Sequence, residues 1–420
     1  MSVIIVGAGI GGLTLALRLH HHGIHCRIYE AVPRIEPLGV GINVLPHAMR
    51  ELSALGLQAA LLDAGIETRE MSFYNRYGQF IHSEPRGCFA GYKWPQVSLH
   101  RGALQRILVD AVTERLGEDA LITGHRFVFG EQNPSYAIAC FEVGGGRSRI
   151  GEEGRIEEAA AEVLIGCDGI HSAVRKLLHP HPDPLNYSGI TMWRGVTRWQ
   201  PFLSGATMAY AGWLETGKLI VYPIDDQRDS EGRQLINWLV EFFVPPRDPS
   251  GDWSQPGRYE DFLPRCEDMR FDWLDVPAFV QAADFVYEYP MVDRDPLPYW
   301  SDGRITLLGD AAHPMYPRGS NGAGQAILDA CALADELARQ YDPLVALQLY
   351  DDARRPATAQ VVLANRSHPP DAILREVYER TGDKPFERID DVITRFELKA
   401  LSEQYKQAAG FDRRTLDANN

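Results

Sequence analysis

Cysteine is scarce in this chain. Only Cys26, Cys88, Cys140, Cys167, Cys266 and Cys331 occur among 420 residues, and no two stand in a C-x-x-C pair. That scatter argues against a disulfide framework or a zinc site and for reduced, buried thiols. Long apolar runs are missing as well. No stretch reaches the roughly 18 residues of a bilayer span, and the first apolar segment has neither a basic leader nor a small-residue cleavage site. The expectation is a soluble, cytoplasmic protein with no membrane span. Positive charge is in deficit: 42 Lys plus Arg stand against 57 Asp plus Glu, a net charge of −15. So acidic a molecule is ill matched to a phosphate backbone, which removes nucleic acid from the expected partners. There is no internal repeat, and 45% hydrophobic residues are enough for two or three domains with sizeable cores.

What is present begins at once. Ser2-Val3-Ile4-Ile5-Val6 is an uncharged, β-branched run of the kind buried on both faces of a parallel sheet. Gly7, Gly9 and Gly12 follow in G-x-G-x-x-G spacing, then a leucine-rich helix that Gly23 closes, then a second strand ending in Glu30. Each glycine has a mechanical task at such a turn. Gly7 permits the tight turn, Gly9 lets the backbone approach a pyrophosphate, and Gly12 lets helix and strand pack closely. The helix N-terminus faces the phosphates, and the carboxylate of Glu30 lies where it can accept hydrogen bonds from a ribose. This unit signals a dinucleotide without separating FAD from NAD. His20, His21 and His22 are consecutive, point in different directions and form a solvated helix end rather than a metal site.

Two further strands end in acids: residues 162–168, closing on Asp168-Gly169, and residues 304–310, closing on Gly309-Asp310. Ligands of open parallel sheets sit beyond the carboxyl ends of the strands, so both acids are expected near the cofactor, although Asp168 could equally be a turn former. A Pro/Gly-rich loop then runs from His313 through Pro317 to Gly322 and Ala323, feeding a helix expected to reach about Gln340. Its N-terminal N–H groups could stabilise negative charge on a reduced flavin.

These three segments together resemble the fingerprints of the single-component, FAD-dependent aromatic hydroxylases. Within that family the chain resembles most the phenazine-carboxylate monooxygenase branch. The likeness is carried by Pro37-Leu38-Gly39-Val40-Gly41-Ile42-Asn43, by Ser83-Glu84-Pro85-Arg86-Gly87, by the 189–197 segment around Trp193-Arg194-Gly195, and by the 289–298 segment around Met291-Val292-Asp293. It covers residues 1 to about 366. The resemblance implies non-covalent FAD, NAD(P)H as a transient co-substrate, and O2 passed to an aromatic or N-heteroaromatic ring through a flavin C4a-hydroperoxide. No second glycine fingerprint marks an NAD(P)H domain. It implies cofactor contacts at Glu30, Gly41, Arg101, Asp168, Asp310, Gly322 and Ala323, with Arg175 in the same segment as Asp168. It also implies a substrate pocket at Asn43, Tyr222, His313 and Pro317. No catalytic residue is named. Gln325 departs from the Asn usual in the family loop.

The expected fold class is α/β, a Rossmann-like FAD-binding domain with a discontinuous α+β substrate domain built on an antiparallel sheet. The FAD-binding domain takes residues 1–69, 101–175 and 290–365; the substrate domain takes 70–100 and 176–289. Runs at 190–199, 206–213, 218–224 and 235–244 read as strands of that sheet, with Met71 and Val97 heading further strands of it. Residues 144–154 read as a solvated hairpin end and 245–257 as a loop. Residues 366–420 are a C-terminal helical segment or tail that either covers the first domain, makes a homodimer contact, or stays mobile. Two other functions fit the same dinucleotide unit: a flavin reductase or oxidase on a lipid-like substrate, and a non-enzymatic FAD redox sensor.

Overall fold

The computed structural model describes every residue except 37–38, 144–154, 246–254, 368, 411, 414–415 and 417–420, together with the side chain of 408. The expected hairpin end, most of the 245–257 loop and the Pro37-Leu38 start of one motif lie outside the described residues.

The first sheet has six strands in the order Ser301–Asp302, Ile305–Leu307, Val163–Gly166, Ser2–Val6, His25–Tyr29, Leu121–Ile122. All its pairings are parallel except that of Ser301–Asp302 with Ile305–Leu307. Val3, Ile4, Ile5 and Val6 are buried because helices pack on one face of this sheet and a three-stranded antiparallel sheet packs on the other. The helix Ile10–His21 packs beside the helix Gly322–Arg339, and both N-termini lie beyond the carboxyl ends of the central strands. In an open parallel sheet of this kind, ligands occupy the crevice past the strand ends. A separate antiparallel sheet of His125–Gln132, Ala137–Val143 and Arg155–Ala161 attaches to one side.

The second large sheet has seven strands, in the order Val286–Asp293, Asn186–Trp199, Gln234–Phe243, Gly217–Asp225, Thr207–Trp213, Glu70–Tyr74, Phe80–Pro85. Four of the expected runs are there nearly residue for residue. Three expectations need correction. Thr207–Trp213 pairs with Glu70–Tyr74 in parallel, because a long excursion through the first domain separates them. Val97–His100 does not join this sheet; it pairs with Gly41–Val44 and Gly65–Glu67 in a small sheet between the domains, where Asn43 stands opposite Ser98. The boundary expected at 290 falls inside a strand, since Val286–Asp293 pairs with Asn186–Trp199, so the chain leaves the sheet only after Asp293.

One face of the seven-stranded sheet, carrying Trp193, Trp238 and Val240, is covered by the helices Tyr259–Glu267 and Val276–Gln281. The other face carries Met71, Phe73, Met208, Tyr210 and Tyr222, and the C-terminal segment covers it through Ile373, Leu374, Val377, Ile393 and Leu398. The segment expected over the first domain thus packs mainly on the second, because its apolar residues answer an apolar sheet face that would otherwise be open to water. A buried cluster of charges fixes it there. Asp371 accepts from Lys218 Nζ and, at 3.0 Å, from Arg318 Nη2, and Lys218 lies 2.5 Å from Glu241. Burial alone would raise the Asp371 carboxyl, but Arg318 and Lys218 outweigh it and hold it well below the usual carboxylate range. Removing one partner of such a buried set strands the others. Asp371→Ala should therefore cost about 3 kcal/mol, read as a lower urea midpoint with an unchanged slope.

Candidate functional site

The strand-to-helix turn is built as the glycine spacing requires. Gly7 has φ +104°, and a Cβ there would lie 2.5 Å from the carbonyl oxygen of Cys167. A Cβ on Gly12 would overlap the carbonyl oxygen of Gly7, and one on Gly11 would lie 2.6 Å from Leu308. Gly9 is different, since a Cβ on it would meet nothing within 4 Å. It is the N-cap of the helix Ile10–His21 and no side chain caps that end. Backbone thus borders open space at the one position where a pyrophosphate needs close approach. Glu30 sits across the turn, accepting from the N–H of Ala8 at 2.8 Å and of Val32 at 3.0 Å. Gln105, unnoticed in the sequence, reaches the same turn by donating to the carbonyl of Ala8 at 2.9 Å.

The second N-terminus is that of the helix Gly322–Arg339. Its N-cap residue, Asn321, makes no capping bond: its Nδ2 donates to Tyr405 Oη at 2.7 Å and to the carbonyl of Gly319, while its Oδ1 accepts from no helix N–H. Gly322 begins the helix there, and Asp310 Oδ1 is 4.0 Å from its Cβ position. Asp310 is solvent-accessible yet surrounded in depth by protein, as befits the wall of a cleft. That depth pushes its carboxyl upward, against the pull of His313 and Arg101. Arg101 begins the helix Arg101–Leu116, is exposed, and has no ion-pair partner among the described residues. An uncapped helix end, an accessible acid and an uncommitted cation along one crevice fit the phosphates, ribityl chain and ring of FAD.

Other expected residues are committed elsewhere. Asp168 accepts from Ser172 Oγ at 2.5 Å and from the N–H groups of Ala173 and Val174, so its carboxylate caps the helix Ala173–Leu178. Arg175 is buried, bonding Asp183 at 2.6 Å and the carbonyls of Ala311 and Ala312. It ties the loop after Asp310 in place. His313 was expected to face the substrate ring; it sits in the core of the first domain, Nε2 2.5 Å from Asp329 Oδ2 and its ring against Trp300. The reason is the fully buried Asp329, which needs donors and also takes Arg354 at 2.7 Å. Gln325 accepts from Arg354 at 2.6 Å and donates to the carbonyl of Ala409, which explains an amide longer than Asn at that position. Gly41 donates to Asn237 Oδ1 at 2.7 Å and accepts from Arg194 Nη2 at 3.0 Å, so both its backbone groups join the two domains.

Asn43 and Tyr222 do come together. Asn43 accepts from Ser98 Oγ at 2.5 Å and donates to Ser320 Oγ at 3.3 Å. The Tyr222 hydroxyl interacts with Asn43 and Arg194, and burial pushes its pKa up to about 12 although both neighbours lower it. Pro317 is exposed in the loop that Ser320 ends. Arg194 lies over the ring of Tyr289 at 5.9 Å. Its Nε and the Asn237 Nδ2 are buried without a hydrogen-bond partner. Asn237 and Arg194 were missed in the sequence, though each is a polar residue inside an apolar strand, the pattern of a side chain needed where two domains meet.

Among known proteins, residues 1–183 and 291–365 match the family model described as FAD binding domain. The chain is 46% identical over 369 residues to a phenazine 1,6-dicarboxylic acid hydroxylase of Lysobacter antibioticus, covering 87% of this chain and 89% of that one. It is 31% identical over 359 residues to an aurachin C monooxygenase/isomerase of Stigmatella aurantiaca, covering 84% and 85%. The fold matches the Klebsiella pneumoniae protein HpxO complexed with FAD and uric acid, with a TM-score of 0.72 at 22% identity over 97% of this chain and 92% of that one. A salicylate hydroxylase substrate complex matches at a TM-score of 0.72 and 20% identity, covering 99% and 97%.

Two measurements test this site. Gly9→Ala should leave the melting temperature of the apoprotein unchanged while weakening FAD at least about tenfold by fluorescence titration, near 1.4 kcal/mol; Gly12→Ala should lower both. His47, buried beside Gly324, is lowered to about 3 by burial, then by Arg354 and Arg50. It is therefore neutral in the fold and protonates in the unfolded chain near 6.5, so its contribution is complete above that pH and fades as pH falls toward 3. Between those limits His47→Gln should flatten the acid loss of stability by about 1.4 kcal/mol per pH unit in denaturant titrations.

Proposed function

The chain belongs to the FAD-dependent aromatic hydroxylases, and we propose that its own substrate is a planar N-heteroaromatic acid of the phenazine class. The 46% identity to a phenazine dicarboxylic acid hydroxylase, sustained across 87% of the chain, carries this substrate class. FAD when bound supplies the redox chemistry, taking a hydride from NAD(P)H and activating O2, so that one oxygen atom enters an aromatic C–H bond and the other leaves as water.

The chain's own residues bind, orient and keep the site dry. The Gly7–Gly12 turn takes the pyrophosphate and Glu30 the adenosine ribose. Arg101 and Asp310 hold the ribityl chain, and the N–H groups of Gly322 and Ala323 offer positive charge to the anionic edge of the reduced ring. Asn43 and Tyr222 face the substrate ring beside the Pro317 loop. Tyr222 stays protonated to a pH of about 12 and so serves as a fixed hydroxyl toward a ring nitrogen or oxygen, not as a base. His313 acts at a distance, through Asp329, by setting the loop that follows Asp310. Aromatic and sulfur-bearing side chains around Tyr222 exclude water, which protects the activated oxygen from wasteful release as peroxide. The use of NAD(P)H supports a cytoplasmic setting for the reaction.

Purified FAD-loaded protein given NADH or NADPH and a panel of phenazine, quinoline and salicylate acids should oxidise the nucleotide fastest with a phenazine acid, forming one hydroxylated product per nucleotide consumed. The substrate class is refuted if no phenazine acid accelerates NAD(P)H oxidation.

A further inference from the structure

His100 ends the strand Val97–His100 and is the N-cap of the helix Arg101–Leu116. Histidine is not a favoured residue there, where Ser, Thr, Asp and Asn ordinarily supply the acceptor. In this chain the imidazole supplies it. Nδ1 accepts from the N–H of Gly102 at 3.1 Å, and a neutral ring with an accepting Nδ1 carries its proton on Nε2. The same ring interacts with the backbone of Gly39, in the loop that leads into the strand Gly41–Val44. Burial pushes the imidazole pKa below its ordinary value. The Gly39 backbone opposes that shift, and Arg101, the one charged group acting on the ring among the described residues, adds to it. The imidazole is therefore neutral at physiological pH and fit to accept.

Arg101 lies between the two residues that the ring joins. Its N–H donates to the carbonyl of Val40 at 2.9 Å, and its Cδ is 3.5 Å from the Cβ position of Gly39. Gly39 has φ +118°, a conformation that disfavours any side chain, so the arginine stem runs over bare backbone. The loop beneath it is anchored in turn: Gly41, the register partner of His100, is held by Asn237 and Arg194 of the seven-stranded sheet. The root of Arg101 is thus fixed while its charge reaches Asp310 across the crevice. Ordering a long side chain before its ligand arrives removes part of the cost of binding.

We propose that His100 is a positioning residue for the cofactor: its imidazole clamps the Gly39 loop to the first turn of the helix and so aims Arg101 at the crevice. This rests on the assignment of Arg101 to FAD and deepens it, because the clamp links the grip of the second domain on Gly41 to a cation of the cofactor site.

The test is a fluorescence titration of the apoprotein with FAD, with a thermal melt of each variant. Arg101→Met should weaken FAD about tenfold and His100→Asn about fivefold. Asn keeps an acceptor for the Gly102 N–H but loses the reach of the ring to Gly39, so the melting temperature of the apoprotein should stay within about 2 °C of wild type. The double variant decides the matter. With Arg101 already replaced by Met, His100→Asn should weaken FAD less than about twofold further, because no guanidinium is left to aim. If His100→Asn does not fold, His100→Gln takes its place in the same cycle. FAD binding by the His100 variant equal to that of wild type, or losses that multiply in the double variant, overturns the positioning role and leaves Arg101 a cofactor residue. An Arg101→Met protein that binds FAD as tightly as wild type overturns that assignment and the clamp with it.

Discussion

The helix Ile10–His21 lies so close to the turn before it that a side chain on Gly12 would overlap the carbonyl of Gly7, and one on Gly11 would strike Leu308. That approach presses the helix against the ends of the central strands and brings it beside the helix Gly322–Arg339. Two helix N-termini some 310 residues apart in sequence thereby open into one crevice. Neither is capped by a side chain, and the rest of the molecule serves to keep those two ends fixed and unfilled.

Buried charge does much of that fixing. Arg175 holds the carbonyls of Ala311 and Ala312; Asp329 gathers His313 and Arg354; Asp371 joins Lys218 on the sheet to Arg318 on the loop. Each set is expensive to bury and more expensive to break, so each specifies one arrangement of loop and sheet instead of merely adding stability. Tyr405 contributes in the same way, since its hydroxyl accepts from Asn321 Nδ2 and bonds the Arg318 carbonyl and Asn365 Oδ1, tying the loop before the helix to the C-terminal segment. The C-terminal segment is thus structural to both the sheet it covers and the loop before the helix Gly322–Arg339.

Much of this was legible in the chain. The G-x-G-x-x-G turn, the second strand before Glu30, and the strands before Asp168 and Asp310 are local patterns, fixed by backbone sterics and by the two-residue period of strands, and the structure forms each of these elements. Four strands of the second sheet were legible for the same reason. The errors concern partners. Val97–His100 looks like any alternating strand, and nothing within it says which neighbour it will pair with. His313 beside a Pro-rich loop has the features of a ligand-facing histidine; that Asp329 claims it depends on a helix sixteen residues later meeting Arg354. Asp168 and Gly41 likewise carry the right chemistry, but the groups that occupy them come from Ser172, Asn237 and Arg194.

The sequence by itself therefore determined that a dinucleotide is bound, that a tight glycine turn joins the first strand to its helix, and that one parallel and one largely antiparallel sheet would form, because those follow from short-range geometry. Only the tertiary structure decided that, among the described residues, the Arg101 and Asp310 side chains make no hydrogen bond. It likewise decided that Arg86 and Lys406 converge on Glu84 beneath the C-terminal helix. The reason is physical: whether a donor or charge is free for a ligand depends on what else is buried against it, and burial is a property of the packed chain, not of any segment within it.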